Sequence, residues 1–281
     1  VAVLTIGSVA GSPGATSLAL ALAAAWPRRS LVIDADPDGG RLAARCDVPV
    51  RPGLTELAGA ARTGLSDPGD VWRFAQRSPL GVDVVVAHPA AEQVASALRA
   101  ASAPIADALL RLDGVDVIID VGRVRPGTLA GPLLSAADRR IIVTGTRLDD
   151  AVALTHRLDL LDGFGGADIV VGGGGDHSAS ELAHVLGRTV LSSRPGRRAR
   201  RSSARHRRRE ARWVMHLARR LADELALGEP ITNDLSDGDL ADGGLSTGDL
   251  HADPDHEDTS GAIPVGGRRA SRMTWAGERD E

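Results

Sequence analysis

The residues best suited to chemistry fall into three short segments. The first, Gly7-Ser8-Val9-Ala10-Gly11-Ser12-Pro13-Gly14-Ala15-Thr16-Ser17, follows an apolar run and precedes an Ala/Leu-rich one. That strand, glycine loop and helix order suits an anion cradle of the phosphate-binding kind. Glycines let backbone amides curl round an anion without Cβ obstruction, and the following helix adds the positive end of its dipole. A tight turn between any parallel strand and its helix looks similar, so the loop alone decides nothing. The second segment, Leu31-Val32-Ile33-Asp34-Ala35-Asp36-Pro37, ends an apolar run on two carboxylates, and the third, Val115-Asp116-Val117-Ile118-Ile119-Asp120-Val121-Gly122, ends one on Asp120. Open α/β sheets bind ligands at the carboxyl ends of their strands. An acid there, beside a phosphate loop, can hold magnesium through its water shell.

Such residues need rigid supports, and the hydrophobic pattern provides them. Short β-branched runs alternate with longer helical patterns, the signature of a doubly wound, mostly parallel α/β sheet. The runs predict strands at Ala2–Ile6, Ser30–Asp34, Val82–Ala87, Val115–Asp120, Arg139–Thr144, Asp168–Gly172 and Thr189–Leu191. Most are continuously apolar, as strands buried on both faces must be. Helices are predicted at Thr16–Trp26, Leu54–Arg62, Ala91–Leu112, Asp149–Leu161, Ser178–Leu186 and Ala211–Leu227. Ser178 with Glu181 forms a capping box, and Trp213, Leu217, Leu221 and Leu225 make an apolar stripe on the last helix.

With those elements in place, the order of loop, Asp-Ala-Asp-Pro and apolar-run aspartate resembles the ParA/MinD family of deviant P-loop ATPases, including its CpaE-like branch. The resemblance spans about residues 1–227 and implies a P-loop NTPase domain that binds ATP with Mg2+. It implies a nucleotide cradle of Gly11, Ser12, Pro13, Gly14, Ala15, Thr16 and Ser17, magnesium held by Thr16, Asp34 and Asp120, and Asp36 orienting the attacking water. The family loop reads Lys-Gly-Gly-x-Gly-Lys-Thr. Here Ala10 and Ala15 stand at its two lysine positions, Ser12 replaces a glycine, and the adenine-side asparagine falls in Gly172–Gly175. Losing a charge-assisted contact costs about 1.5–3 kcal/mol in binding, and losing a transition-state donor costs about 2.7–4 kcal/mol in barrier. Weak or absent hydrolysis is expected, with Arg123, Arg125 or Arg147 able to supply an arginine in trans. The implied role is a switch for positioning, partitioning or pilus and secretion assembly, acting as a homodimer or with a protein partner of such a system. The alternatives are a pseudo-ATPase scaffold and a DNA-associated module.

The chain has 281 residues, 43% hydrophobic and 25% charged, which are ordinary globular values and exclude a collagen-like or wholly disordered protein. All 33 basic residues are arginine, so any lysine mechanism is excluded. The single cysteine, Cys46, excludes an internal disulfide and a cysteine-based metal cluster, and a cytoplasmic location is expected. Eight histidines show no metal-ligand spacing. Residues Val1 to Pro27 are uncharged, but glycines and Pro13 interrupt them, so no membrane span is expected.

The net charge of −4 hides two opposed blocks. Arg194 to Arg220 holds twelve arginines against one acid, and Gly228 to Glu281 holds thirteen acids against four arginines. The segment Arg194–Arg212 could contact nucleic acid phosphates; a solvated basic face or a shifted reading frame would read the same way. Residues 228–281 lack periodicity and are expected to form an acidic, disordered tail.

Overall fold

The computed structural model describes residues 1–11, 14–65, 67–172, 177–192 and 204–227. The chain separates into two units, Val1–Asp237 and Gly238–Glu281, and the described residues all fall in the first. The expected acidic tail lies outside them, as do Ser12, Pro13, most of the Gly172–Gly175 run and the first part of the Arg run.

Eight strands form one sheet, β1 (Val3–Ser8), β2 (Ser30–Asp34), β3 (Gln76–Arg77), β4 (Asp83–Val85), β5 (Asp116–Arg123), β6 (Arg139–Thr144), β7 (Asp168–Val171) and β8 (Val190–Ser192). Their order is β3-β4-β2-β5-β1-β6-β7-β8. Only β3, at the edge, runs antiparallel. From β1 the chain moves to one side through β2 and β4, returns through β5, and continues on the other side through β6 to β8. The strand order therefore reverses at β1, and the loop that follows β1 sits where such sheets bind ligands.

Alternation along the central strands fills two separate cores. Val3, Leu31, Ile33, Val117, Ile119 and Val121 point to one face, and Leu4, Ile6, Val32 and Ile118 to the other. The first face is covered by α3 (Leu54–Thr63), α4 (Ala91–Leu110), α5 (Gly131–Ala136), α6 (Leu148–Thr155), α7 (Leu158–Gly163) and α8 (Ala179–Leu186). The second is covered by α1 (Ala15–Ala25), α2 (Leu42–Cys46) and α9 (Ala204–Leu227). Leu217 and Leu221 of the predicted stripe enter this second core with Leu18, Leu22 and Trp26.

The differences from the sequence reading have local causes. One predicted helix, Asp149–Leu161, is two, broken at His156–Arg157. The last helix begins at Ala204, so the later arginines of the run are helical, with Arg212 exposed. β1 runs two residues further than predicted, carrying Gly7 and Ser8 into the sheet. The elements α2, β3, α5 and a 3-10 turn at Pro68–Phe74 are too short for periodicity to reveal.

Candidate functional site

The loop after β1 delivers α1 with its first turn uncapped. Gly14 takes the left-handed conformation at φ 103° and provides no side-chain cap, and no acid occupies the first turn. Gly11 is left-handed too, at φ 61°. The amides at the start of α1 thus have no side-chain acceptor, the condition under which a helix N-terminus receives an anion. Thr16, one residue into α1, lines the same cleft as Asp120, where its hydroxyl favours the charged form of that carboxylate. The loop and β5 thus meet at one cleft.

Asp120 and Asp34 stand opposite each other across β5 and β2, each only 1% exposed. Burial, followed by the Asp34 charge, pushes Asp120 up to about 7, against the nearby Thr16 hydroxyl and the hydrogen bond that the Gly122 amide donates. Asp34 is raised as well, by burial first, although its carboxylate accepts the amides of Arg41 (2.9 Å) and Leu42 (3.0 Å). The sequence reading gave Asp34 to the metal. Its visible contacts are with the head of α2, and it lies behind the cleft, not on its wall.

Asp36 reaches the same cleft along a different path. Its carboxylate accepts the Asp38 amide at 2.9 Å and lies over the Cα of Gly122. A Cβ at Gly122 would fall 2.1 Å from Asp36 Oδ1, and Gly122 is left-handed at φ 62°. This position tolerates only glycine. The register of β1 against β5 slips between Ile6 and Gly7, so that Ile6 faces Asp120 while Gly7 faces Gly122. Such a bulge bends a strand end next to a site. Gly7 is crowded too, though less so, since a Cβ there would meet the Gly122 carbonyl at 2.9 Å.

These ends line a cleft open to solvent, in which Gly11, Gly14, Ala15 and Thr16 of the loop meet Asp36 and Asp120. Ser17 is exposed at its side. Arg41, Arg45 and Arg123 also line it, and of these only Arg123 was foreseen. Arg125 is instead ion-paired with Asp38, and Arg147 with Asp149 at 3.2 Å. No group of three His, Cys, Asp or Glu side chains able to hold a metal occurs among the described residues. One or two carboxylates, a hydroxyl and a ligand's own phosphates are nevertheless a sufficient donor set for magnesium. Asp120 and the Thr16 hydroxyl on the cleft wall provide that oxygen chemistry.

No known family profile and no curated protein sequence matches the chain. Solved structures do. A ParA family ATPase from Chlorobium tepidum superposes with a TM-score of 0.58 at 16% identity, covering 80% of this chain and 97% of that one. The septum site-determining protein MinD with Mg-ADP from Pyrococcus horikoshii gives 0.60 at 15%, covering 82% and 99%. Cobyrinic acid a,c-diamide synthase from Mycobacterium smegmatis, with ADP and magnesium, gives 0.58 at 21%, covering 84% and 99%. A fold shared by positioning ATPases and a biosynthetic enzyme does not by itself name an activity. The described domain has the doubly wound P-loop fold of the ParA/MinD ATPases.

Proposed function

We propose that this chain is a ParA/MinD-like switch that binds ATP with Mg2+ and hydrolyses it weakly or not at all. The observation that carries this reading is the convergence of Thr16, at the head of an uncapped α1, and buried Asp120 on one cleft. It brings an anion-receiving helix end and a cation-binding carboxylate to one cleft. In this reading the amides of Gly11 and of Gly14 to Thr16 would cradle the phosphates, and Thr16 and Asp120 would hold magnesium, which neutralises phosphate charge. Asp34 supports Asp120 from behind while fixing α2, and Asp36, held over Gly122, orients water toward the terminal phosphate.

Ala15 accounts for the weak turnover. It is 8% exposed at the first position of α1 and brings no charge to the cleft. A switch that holds nucleotide without rapid turnover suits a partner-dependent role in positioning, partition or pilus and secretion assembly, of the CpaE-like kind, as a homodimer or on a partner protein. Titration of the full chain with ATP and ADP, with and without magnesium, tests the reading by calorimetry. Magnesium-dependent binding is expected. No binding of either nucleotide would leave the cleft as part of a protein-interaction scaffold.

A further inference from the structure

A phosphate cradle without a basic residue in its loop leaves amide dipoles to meet whatever triphosphate charge the cation does not neutralise. The cleft does contain strong cations, but they arrive from outside the loop. Arg45 lies on α2, and its Nη1 is 2.7 Å from the Ser17 hydroxyl, against the first turn of α1. Arg123 ends β5, and its Nη2 is 3.5 Å from the Gly11 carbonyl, at the entrance of the loop. One guanidinium stands at each end of the cradle. Among the described residues neither makes a salt bridge, whereas Arg125 and Arg147 nearby do. A guanidinium has five donors, so a single contact to a hydroxyl or a carbonyl leaves most of them uncommitted.

The placement of Arg45 is built into the fold. Asp34 fixes the start of α2 through the amides of Arg41 and Leu42. The turn before it is pressed against the chain that follows β4: the Gly40 amide donates to the His88 carbonyl at 2.9 Å. A Cβ on Gly40 would meet the Ala87 carbonyl at 2.3 Å, and one on Gly39 the Pro89 carbonyl at 2.4 Å. Neither glycine can be replaced without moving α2. Leu42, Ala43 and Cys46 then anchor the inner side of α2 in the second core. Arg41 and Arg45, four residues apart, share its outer side and both line the cleft.

We infer that Arg45 and Arg123 supply the phosphate-neutralising charge that Ala15 does not, gripping the polyphosphate of the ligand from α2 and β5 instead of from within the loop. This rests on the nucleotide reading and deepens it. Planar guanidinium groups recognise phosphate by paired hydrogen bonds, and an arginine held on a separate element makes binding depend on the seat of α2.

The test titrates the full-length protein with Mg-ATP and, separately, with inorganic tripolyphosphate. It compares wild type, Arg45→Gln, Arg123→Gln and Arg45→Gln combined with Ala15→Lys, with circular dichroism checking each fold. Each single change is expected to raise Kd for both probes roughly tenfold or more. The added lysine is expected to recover much of the loss. Arg45→Gln and Arg123→Gln proteins that bind both probes as wild type does would overturn the inference and leave the nucleotide reading intact. Arginine-dependent binding of tripolyphosphate without binding of Mg-ATP would keep the inference and remove the nucleotide. Binding of neither probe by wild type would overturn both.

Discussion

Replacing Asp120 with Asn tests whether the two strand-end carboxylates are held together at a cost to the fold. Asp120 ionises at 3.8 in the unfolded chain and at about 7 in the folded one, because it is buried and faces Asp34. Between those values the folded chain keeps a proton that the unfolded chain has released, so stability falls as pH rises. The penalty is absent below about pH 3.8 and complete above about pH 7. Three pH units at about 1.4 kcal/mol each set an upper magnitude of about 4 kcal/mol. Asparagine keeps the shape and removes the charge. Urea unfolding with metal chelated, at intervals from pH 5 to pH 8, should show the wild type losing stability toward pH 8. The Asn protein should lose much less and should be the more stable of the two at pH 8. A shallow slope should persist in the variant, because Asp34 is raised by burial in its own right. Wild-type stability that stays flat over this range, or an Asn protein weaker at pH 8, would refute the electrostatic argument.

Other perturbations probe the support around the cleft. Gly122→Ala must place a Cβ at φ 62° and 2.1 Å from the Asp36 carboxylate, so a loss of at least about 1–2 kcal/mol in urea unfolding is expected, together with displacement of Asp36. Leu221→Ala removes a side chain that is 1% exposed in the core beneath α9, and a loss of about 2–5 kcal/mol is expected; an unchanged midpoint would mean that α9 does not support the domain. Ala15→Lys alone should tighten Mg-ATP binding in calorimetry, and Asp36→Ala on that background should keep binding while abolishing phosphate release.

The layered architecture was legible because each central strand is a short, nearly continuous apolar run, and such runs read as buried parallel strands wherever they occur. Asp34 was legible as a strand end for the same reason, and Asp120 as the close of its apolar run, although β5 continues to Arg123. Their facing register was not, because it depends on β5 inserting between β1 and β2, a pairing over more than eighty residues of chain. Gly122 shows a second limit. Its need follows from the path of the Asp36 side chain, which no local pattern records. Arg41 and Arg45 were at helical spacing in plain view, yet five residues are too few to announce a helix, and only the Asp34 contacts and the crowded glycines show that α2 forms and where it sits.

The same carboxylate links the acidic and basic halves of the cleft. Beyond the effect of burial, the Asp34 charge raises its neighbour Asp120, while Asp34 Oδ2 accepts the two amides that begin α2. In a protein whose loop contained its own lysine, those two effects would be separate, one concerning the cation and the other a peripheral helix. Here Ala15 leaves the loop uncharged, and the nearest basic side chains depend on neighbouring elements for their position. On the nucleotide reading proposed above, a ligand presenting a divalent cation toward Asp120 and phosphate oxygens toward Arg45 and Arg123 would relieve the carboxylate repulsion and engage two guanidinium groups that, among the described residues, make no salt bridge. Neither a free cation nor a free phosphate would do both. That reading therefore expects the metal–polyphosphate pair to bind better than either component, by electrostatics distributed between α2, β2 and β5.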